Sequence, residues 1–238
     1  MQNSSASTDK PNSSKIRAVI FDYGQVLAYS ASREGFSRLA EIFNVSFDVF
    51  RKLWETTRDV YDRGDLSPQE YWLMLAAKSK TTLDSNQIEQ LRKIEIEIWI
   101  NLDPAMFDWV RALRAAGIKT GLLSNMPTDL ATYLRENADW LDDFSFKTFS
   151  GEVRMIKPDP AIYEYTLRGL GVSAAESLFI DDKEINIQAA RGLGIHGIVY
   201  RSIEQLRAEL KAIGFPVLPA HVDEHATKRQ EQGIKLQL

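Results

Sequence analysis

Apolar and polar positions divide the chain into stretches of different character. Ile16-Arg17-Ala18-Val19-Ile20-Phe21 is a short, nearly continuous apolar run that stops at Asp22. A strand buried on both faces reads this way, as in a parallel sheet, and Gly24 favours a loop after it. From about Ala31 to Leu102 the apolar residues recur at helical spacing instead. Phe36, Leu39, Ala40 and Phe43 form one group, and Phe50, Leu53, Trp54, Val60 and Tyr61 a second. Tyr71, Leu73, Met74 and Leu75 form a third, and Ile88 to Ile100 is helical in composition. Breaks fall at Asn44-Val45-Ser46 and between Arg63 and Pro68, where Ser67 reads as an N-cap and Pro68 as a first helical position. The pattern predicts three or four helices and no strand.

After Asp103-Pro104 the two periods alternate. Phe107 to Ala116 reads as a helix stopped by Gly117. Ile118 to Leu123 is a strand, Thr128 to Arg135 a helix, and Ser177 to Ile180 a strand. Ile185 to Leu193 is a helix ended by Gly194, Ile195 to Tyr200 a strand, and Ile203 to Ile213 a final helix. Strands alternating with helices predict an open parallel α/β sheet. The expected organisation is a leader over residues 1–14, an α/β core from 15–28 and 103–220, an all-helical insertion over 29–102, and a polar tail over 221–238.

Composition narrows the partners. The chain has 238 residues, 44% of them hydrophobic, enough for one sizeable core or a core with a smaller companion. A formal net charge of −4 argues against a nucleic-acid binder. With no cysteine there is no disulfide, thiolate nucleophile or zinc-thiolate site. No apolar run approaches membrane-spanning length, and the Ser/Asn-rich leader lacks the apolar segment of a signal peptide. A cytoplasmic location is expected, and the oligomeric state is left open.

In an open α/β sheet, ligands bind beyond the carboxyl ends of the strands. Asp22 ends the first strand, Ser124-Asn125 the second, and Asp181-Asp182 the strand from Ser177; Lys157 lies between the last two in Lys157-Pro158-Asp159-Pro160. Singly, each carboxylate could be an N-cap or turn former, and Lys157 a solvated lysine. Together they bring three carboxylates, a cation and a hydroxyl to one sheet edge. Carboxylates that close repel one another, and a hard divalent cation resolves the repulsion, since Mg²⁺ takes carboxylate oxygens together with substrate phosphate.

These residues resemble the haloacid dehalogenase superfamily, in the subgroup with a helical cap inserted after the first motif. The resemblance covers roughly Ile16 to Ala220. Its motifs are Val19-Ile20-Phe21-Asp22-Tyr23-Gly24-Gln25-Val26-Leu27, then Leu122-Leu123-Ser124-Asn125, then Lys157-Pro158-Asp159-Pro160-Ala161-Ile162-Tyr163, then Phe179-Ile180-Asp181-Asp182 followed by Asn186. It implies a Rossmann-like core with a helical cap, and a phosphatase acting on a small phosphorylated metabolite. Asp22 would attack phosphorus and form an aspartyl-phosphate, Ser124 would donate to a phosphoryl oxygen, and Lys157 would offset negative charge. Mg²⁺ would bind Asp22, Asp182 and the Gly24 carbonyl, with Asp181 acting directly or through water; Asn186 would support the last loop. Asn125, and Arg58 or Arg63 from the cap, are candidate substrate-binding residues. Trp54, Tyr61 and Trp72 are candidates to face the site, but core packing is the favoured reading of each.

Gly24 departs from the family pattern. Most family phosphatases carry a second Asp there, whose carboxyl protonates the leaving oxygen, a contribution of roughly 10²–10⁴-fold. Either the substrate has a leaving group that needs little protonation, or a cap residue or water supplies the proton, or phosphatase activity is slight. The Asp-x-Gly-x-Val form resembles members acting on sugar phosphates, which favours an anomeric leaving oxygen. Two alternatives remain: a metal-independent dehalogenase, and a non-catalytic interaction module built on the fold. The Arg63-Gly64-Asp65 tripeptide and the His221/His225 pair have no supporting context.

Overall fold

The computed structural model describes residues 16–220, so the leader (1–14) and the tail with His221 and His225 lie outside the described residues. Among the described residues the core is a five-stranded parallel sheet in the order β3-β2-β1-β4-β5. The strands are β1 (Ala18–Phe21), β2 (Lys119–Ser124), β3 (Phe146–Phe149), β4 (Ser177–Asp181) and β5 (His196–Val199). Strand alternation explains the layering. Val19 and Phe21 of β1 and Leu178 and Ile180 of β4 enter one apolar cluster, while Ala18, Ile20 and Phe179 enter a second cluster on the opposite face. Helices α6 (Pro104–Ala115), α7 (Thr128–Asn137) and α11 (Ile203–Ala212) cover the first face; α9 (Pro160–Leu170) and α10 (Glu184–Gly192) cover the second. A strand covered on both sides must be apolar throughout, which accounts for the uninterrupted run before Asp22.

The chain runs outward from β1 through β2 to β3, then returns to β4 on the other side of β1. The strand order therefore reverses between β1 and β4. Such a reversal leaves a crevice at the carboxyl ends of the two strands, where Asp22 and Asp181-Asp182 stand.

Between β1 and α6 lie α1 (Arg33–Ile42), α2 (Phe47–Glu55), α3 (Arg58–Asp62), α4 (Pro68–Ser79) and α5 (Ser85–Glu97). That is more than the three or four helices the spacing predicts, because the Phe50–Tyr61 group breaks at Thr56-Thr57 into α2 and the short α3. Ser67 and Glu70 form a reciprocal capping box with Pro68 at the start of α4, as the local sequence predicts. The insertion has its own aromatic cluster, with Tyr61 stacked on Tyr71 at 4.0 Å between ring centroids. Tyr61 and Trp72 belong to that packing.

The two connections to the insertion run side by side: Tyr29 N–H donates to Asn101 O at 2.8 Å, and Asp103 N–H to Leu27 O at 2.9 Å. The insertion also docks on the core at two further points. Arg92 of α5 holds Asp129 of α7 through two hydrogen bonds of 2.6 and 2.7 Å. Ser150, at the start of α8 (Ser150–Val153), donates its hydroxyl to the Asp62 carbonyl. Gly64, at φ +79°, lies so close that a Cβ there would stand 2.5 Å from the Gly151 carbonyl oxygen. The Arg63-Gly64-Asp65 tripeptide is thus a tight turn pressed against the core.

Gly64→Ala should lower unfolding stability by about 1–3 kcal/mol, combining left-handed strain with this collision. Gly117 has a similar φ of +78° and nothing within 4 Å of a Cβ, so Gly117→Ala should cost only the strain. Denaturant melts of both variants test this; equal losses would mean the Gly64–Gly151 approach is unimportant.

Candidate active site

Parallel strands deliver the reactive side chains to one edge. Asp22 follows β1, and its backbone N–H bonds to Ile180 O of β4 at 2.9 Å. Ser124 ends β2, and Asp181 ends β4. Lys157 reaches this edge from the loop before α9, with a cis Lys157–Pro158 peptide bond. Its ammonium, almost wholly buried, lies 2.8 Å from Asp22 Oδ1 and 2.6 Å from Asp181 Oδ2, and donates to Leu123 O at 3.1 Å. Asn125 fixes the Lys157 backbone from both sides: its Nδ2 donates to Lys157 O at 2.9 Å, and its Oδ1 accepts from Lys157 N at 2.8 Å. Ser124 Oγ makes no hydrogen bond to another described residue, which leaves it available at the floor of the cleft.

The two carboxylates that share Lys157 differ in their other partners. Asp181 also accepts from the Lys183 N–H at 2.8 Å and from Asn186 Nδ2 at 3.1 and 3.0 Å. Burial would push its pKa up, but Lys157 and these donors overcome that and hold it below the usual range. Among the described residues Asp22 has besides Lys157 only the Tyr23 N–H, at 2.7 Å. Burial, with Asp181 and Asp182 nearby, pushes its pKa up to about 7 despite Lys157. Asp182 is also raised, first by burial and then by Asp181. Burial opposes the Lys157 ammonium, yet Asp181 and Asp22 more than offset it and leave its pKa raised.

Oxygen atoms of Asp22, Asp181 and Asp182 all lie within 4.8 Å of one another. One ammonium does not neutralise three carboxylates, and the charge left over adds to burial in raising the Asp22 pKa. The donor set is all oxygen and carries excess negative charge, which fits a hard divalent cation. Gln25 adds to this corner, since its Nε2 donates to Asp182 Oδ2 at 2.8 Å.

These residues open onto a cleft of about 440 Å³ between the sheet edge and the helical insertion. Gly24 lies on its lining beneath Trp99, whose ring would stand 3.2 Å from a Cβ at position 24. Tyr23 holds Trp99 in place by donating its hydroxyl to the Trp99 carbonyl at 2.7 Å. The space where an acid side chain would start is therefore bounded by an indole, and an Asp at position 24 requires that ring to shift.

The substrate-binding expectations meet a different arrangement. Arg58 lines the cleft, but its guanidinium is bound by Asp62 and Glu95, each at 2.5 Å, because it is the buried counter-ion of both acids. Arg63 is absent from the cleft lining and pairs with Asp65 at 3.0 Å. Asn125 lines the cleft with its amide committed to Lys157. Trp54 does line the cleft. Trp99 and Gln25 complete the site without having been singled out from the sequence. Trp99 reads as the end of a helix and is brought to Gly24 only by the fold.

The fold and this constellation define a hydrolase core with a carboxylate at the end of its first strand. The chain belongs to the haloacid dehalogenase-like hydrolase family, whose profile matches residues 16–194. It is 28% identical over 187 residues to the sesquiterpene phosphatase astK of Aspergillus oryzae, covering 76% of this chain and 88% of that one. It is 33% identical to the phosphoglycolate phosphatase of Salmonella paratyphi A over 93 residues, which cover 39% of this chain and 37% of that protein. A HAD family enzyme of Bacteroides thetaiotaomicron, solved in complex with magnesium and inorganic phosphate, superposes with a TM-score of 0.64 at 24% identity, covering 78% of this chain and 94% of that one. Among the described residues no helix is long and apolar enough to cross a membrane.

The raised Asp22 pKa has a sign that can be tested in the metal-free protein. Between the ordinary value of 3.8 and about 7 the folded state holds a proton at Asp22 that the unfolded state has lost. Stability tied to this group is complete below pH 3.8 and disappears as pH rises through about 7. In chelator, the unfolding free energy of the wild type minus that of Asp22→Asn should fall across this window and level off above it. Parallel pH profiles would overturn the assignment.

Proposed function

We propose that the protein is a Mg²⁺-dependent phosphatase that transfers the phosphoryl group of a small phosphorylated metabolite to Asp22 and then to water. The observation that carries this reading is Asp22 itself: a buried carboxylate beside Lys157 at 2.8 Å, within 4.8 Å of two further carboxylates and open to a cleft. The phosphatase names among its relatives support it, as does the magnesium and phosphate bound by the Bacteroides enzyme.

Asp22 Oδ attacks phosphorus, the ester P–O bond breaks, and its electron pair leaves on the organic oxygen, which takes a proton from water. Water then attacks the acyl phosphate, releasing inorganic phosphate and restoring the carboxylate. Lys157 lowers the repulsion between Asp22 and the incoming phosphoryl group. Ser124 Oγ donates to a phosphoryl oxygen, and Asn125 keeps Lys157 in position. Mg²⁺ held by Asp22, Asp182 and the Gly24 carbonyl, with Asp181 directly or through water, would supply positive charge to the phosphoryl oxygens. The helical insertion acts as the cap that shields this chemistry from bulk water. A sugar phosphate with an anomeric leaving oxygen is the finer reading that the Asp-x-Gly-x-Val form favours, because Gly24 offers no proton.

Hydrolysis of p-nitrophenyl phosphate should require Mg²⁺ and disappear with chelator. Asp22→Asn should lose on the order of 10³-fold or more in kcat, and Lys157→Ala roughly 10²–10³-fold. Loss of activity with chelator would exclude the metal-independent dehalogenase, phosphate release that survives chelator would remove the Mg²⁺ requirement, and an inert wild type would leave a cap that rejects aryl esters or a fold kept for binding.

The vacancy at Gly24 makes a separate prediction. Phenol leaving groups should outrun simple alcohols by roughly 10²-fold or more, the contribution that a general acid would otherwise supply. A flat dependence of rate on leaving-group pKa would mean that another group donates the proton. Gly24→Asp should help alcohol esters only when combined with Trp99→Ala, which clears the crowded side.

A further inference from the structure

Asp182 is held differently from the two carboxylates beside it. Asp22 and Asp181 share the Lys157 ammonium. Among the described residues Asp182 has no ion pair, and its one side-chain donor is the Gln25 amide at 2.8 Å. Its backbone is fixed separately, since Arg201 Nη1 donates to the Asp182 carbonyl at 2.6 Å. The other end of the Gln25 amide is also engaged: Oε1 accepts from Ser30 Oγ at 3.0 Å. Ser30 follows Tyr29, whose N–H bonds to Asn101 O where the two connections to the insertion run side by side. The amide therefore spans from the first of those connections to the Asp182 carboxylate.

The backbone at Gln25 bears a cost for this placement. Its φ is +62°, in the left-handed region that suits glycine. Among the described residues three other non-glycines share that region, and each closes a helix. Asn44 follows the end of α1, Lys80 caps α4 and Arg154 caps α8, where a left-handed residue is an ordinary stop. Gln25 closes no helix. It lies in the turn that brings the Val26, Leu27 and Ala28 N–H groups back to Tyr23 O. A glycine would hold that turn with less strain, so the turn alone does not call for glutamine. What the side chain adds is its pair of bonds to Asp182 and Ser30. The amide is also neutral. It fixes one oxygen of Asp182 without cancelling the charge, and leaves the carboxylate able to serve a cation.

We infer that Gln25 is a positioning residue for the divalent cation: braced by Ser30, its amide holds the Asp182 carboxylate in place for the metal. The inference rests on the Mg²⁺-dependent reading of the same site and assigns Gln25 no contact with the substrate.

Mg²⁺ titrations of the whole protein by isothermal calorimetry, without substrate, test this. Gln25→Met keeps the length of the side chain and the left-handed backbone but removes the amide. Its Kd for Mg²⁺ should rise by roughly tenfold, the low end of what outer partners of metal ligands contribute, because Gln25 is exposed. The Mg²⁺ concentration for half-maximal hydrolysis of p-nitrophenyl phosphate should rise by the same factor. Ser30→Ala removes only the brace and should raise Kd by roughly twofold to threefold. Gln25→Gly separates metal positioning from a structural role. It should weaken Mg²⁺ binding as Gln25→Met does, while its melting temperature in chelator stays at or above that of the wild type, because the strain is gone. A lower melting temperature with unchanged Mg²⁺ affinity would make Gln25 structural and overturn the inference. Equal affinities in wild type and Gln25→Met would also overturn it, as would tighter binding by the variant, which would make the amide a competitor that the metal displaces. In each of these cases the Mg²⁺-dependent phosphatase stands. A wild type that binds no Mg²⁺, with hydrolysis untouched by chelator, would remove the metal reading and this inference with it.

Discussion

The site depends on one buried ammonium. β1 and β4 are neighbours in the sheet; β1 runs directly into Asp22, and β4 ends in Asp181. Two carboxylates so close and so poorly solvated could not both remain charged without a cation between them. Lys157 fills that position, and the structure invests several groups in keeping it there. Asn125 clamps its backbone, and Leu123 O accepts from its ammonium. The ends of β1, β2 and β4 are thereby tied together through a residue that belongs to none of them. Lysine suits the place because its flexible stem can reach a point between strands, and its compact charge can serve two acceptors at once.

The sharing is unequal, and the inequality separates the roles of the two acids. Asp181 collects donors from Lys183 N and Asn186 and keeps its charge. Asp22 has few such donors and bears the cost of burial, so it is the carboxylate that a further cation would do most to ionise. This condition suits the nucleophile's role proposed for Asp22: an acceptor poor in hydrogen bonds retains its lone pairs for phosphorus, whereas one saturated with donors does not. Fixed to the same edge, Asp181 is better placed to orient Lys157 than to react.

What could be read from the sequence, and what could not, follows from the range of the interactions. Strands buried on both faces leave uninterrupted apolar runs, so β1 and β4 and the residues at their ends were legible. The edge strand Phe146–Phe149 was not: it has four residues, its first two are only half-buried, and Lys147 interrupts the apolar run. Within the insertion, helical spacing was legible but the break at Thr56-Thr57 was masked by Phe50, Trp54 and Tyr61, which keep one apolar face across it. Longer-range pairings left no trace in the sequence. Arg58 reads as a free cation near a cleft because Glu95 is 37 residues away. The loss of an acid at Gly24 was visible, but the ring that borders its place comes from Trp99 at the far end of the insertion.

Arg58 also shows how packing and selectivity become inseparable. Its guanidinium lies over Trp54 at 4.1 Å, over Tyr61 at 5.0 Å and over Tyr71 at 5.7 Å, so it belongs to the aromatic cluster that organises the insertion. It is also the counter-ion of Asp62 and Glu95, and burial raises both of those acids even with Arg58 present. Turning Arg58 toward a substrate anion would strip two buried carboxylates of their partner and the rings of their cation, a cost of several kcal/mol by the general penalty for uncompensated buried charge. A surface arginine could swing between partners at little expense, and this one cannot. The charge that Arg58 brings to the cleft is therefore fixed by the insertion's own stability before any ligand arrives.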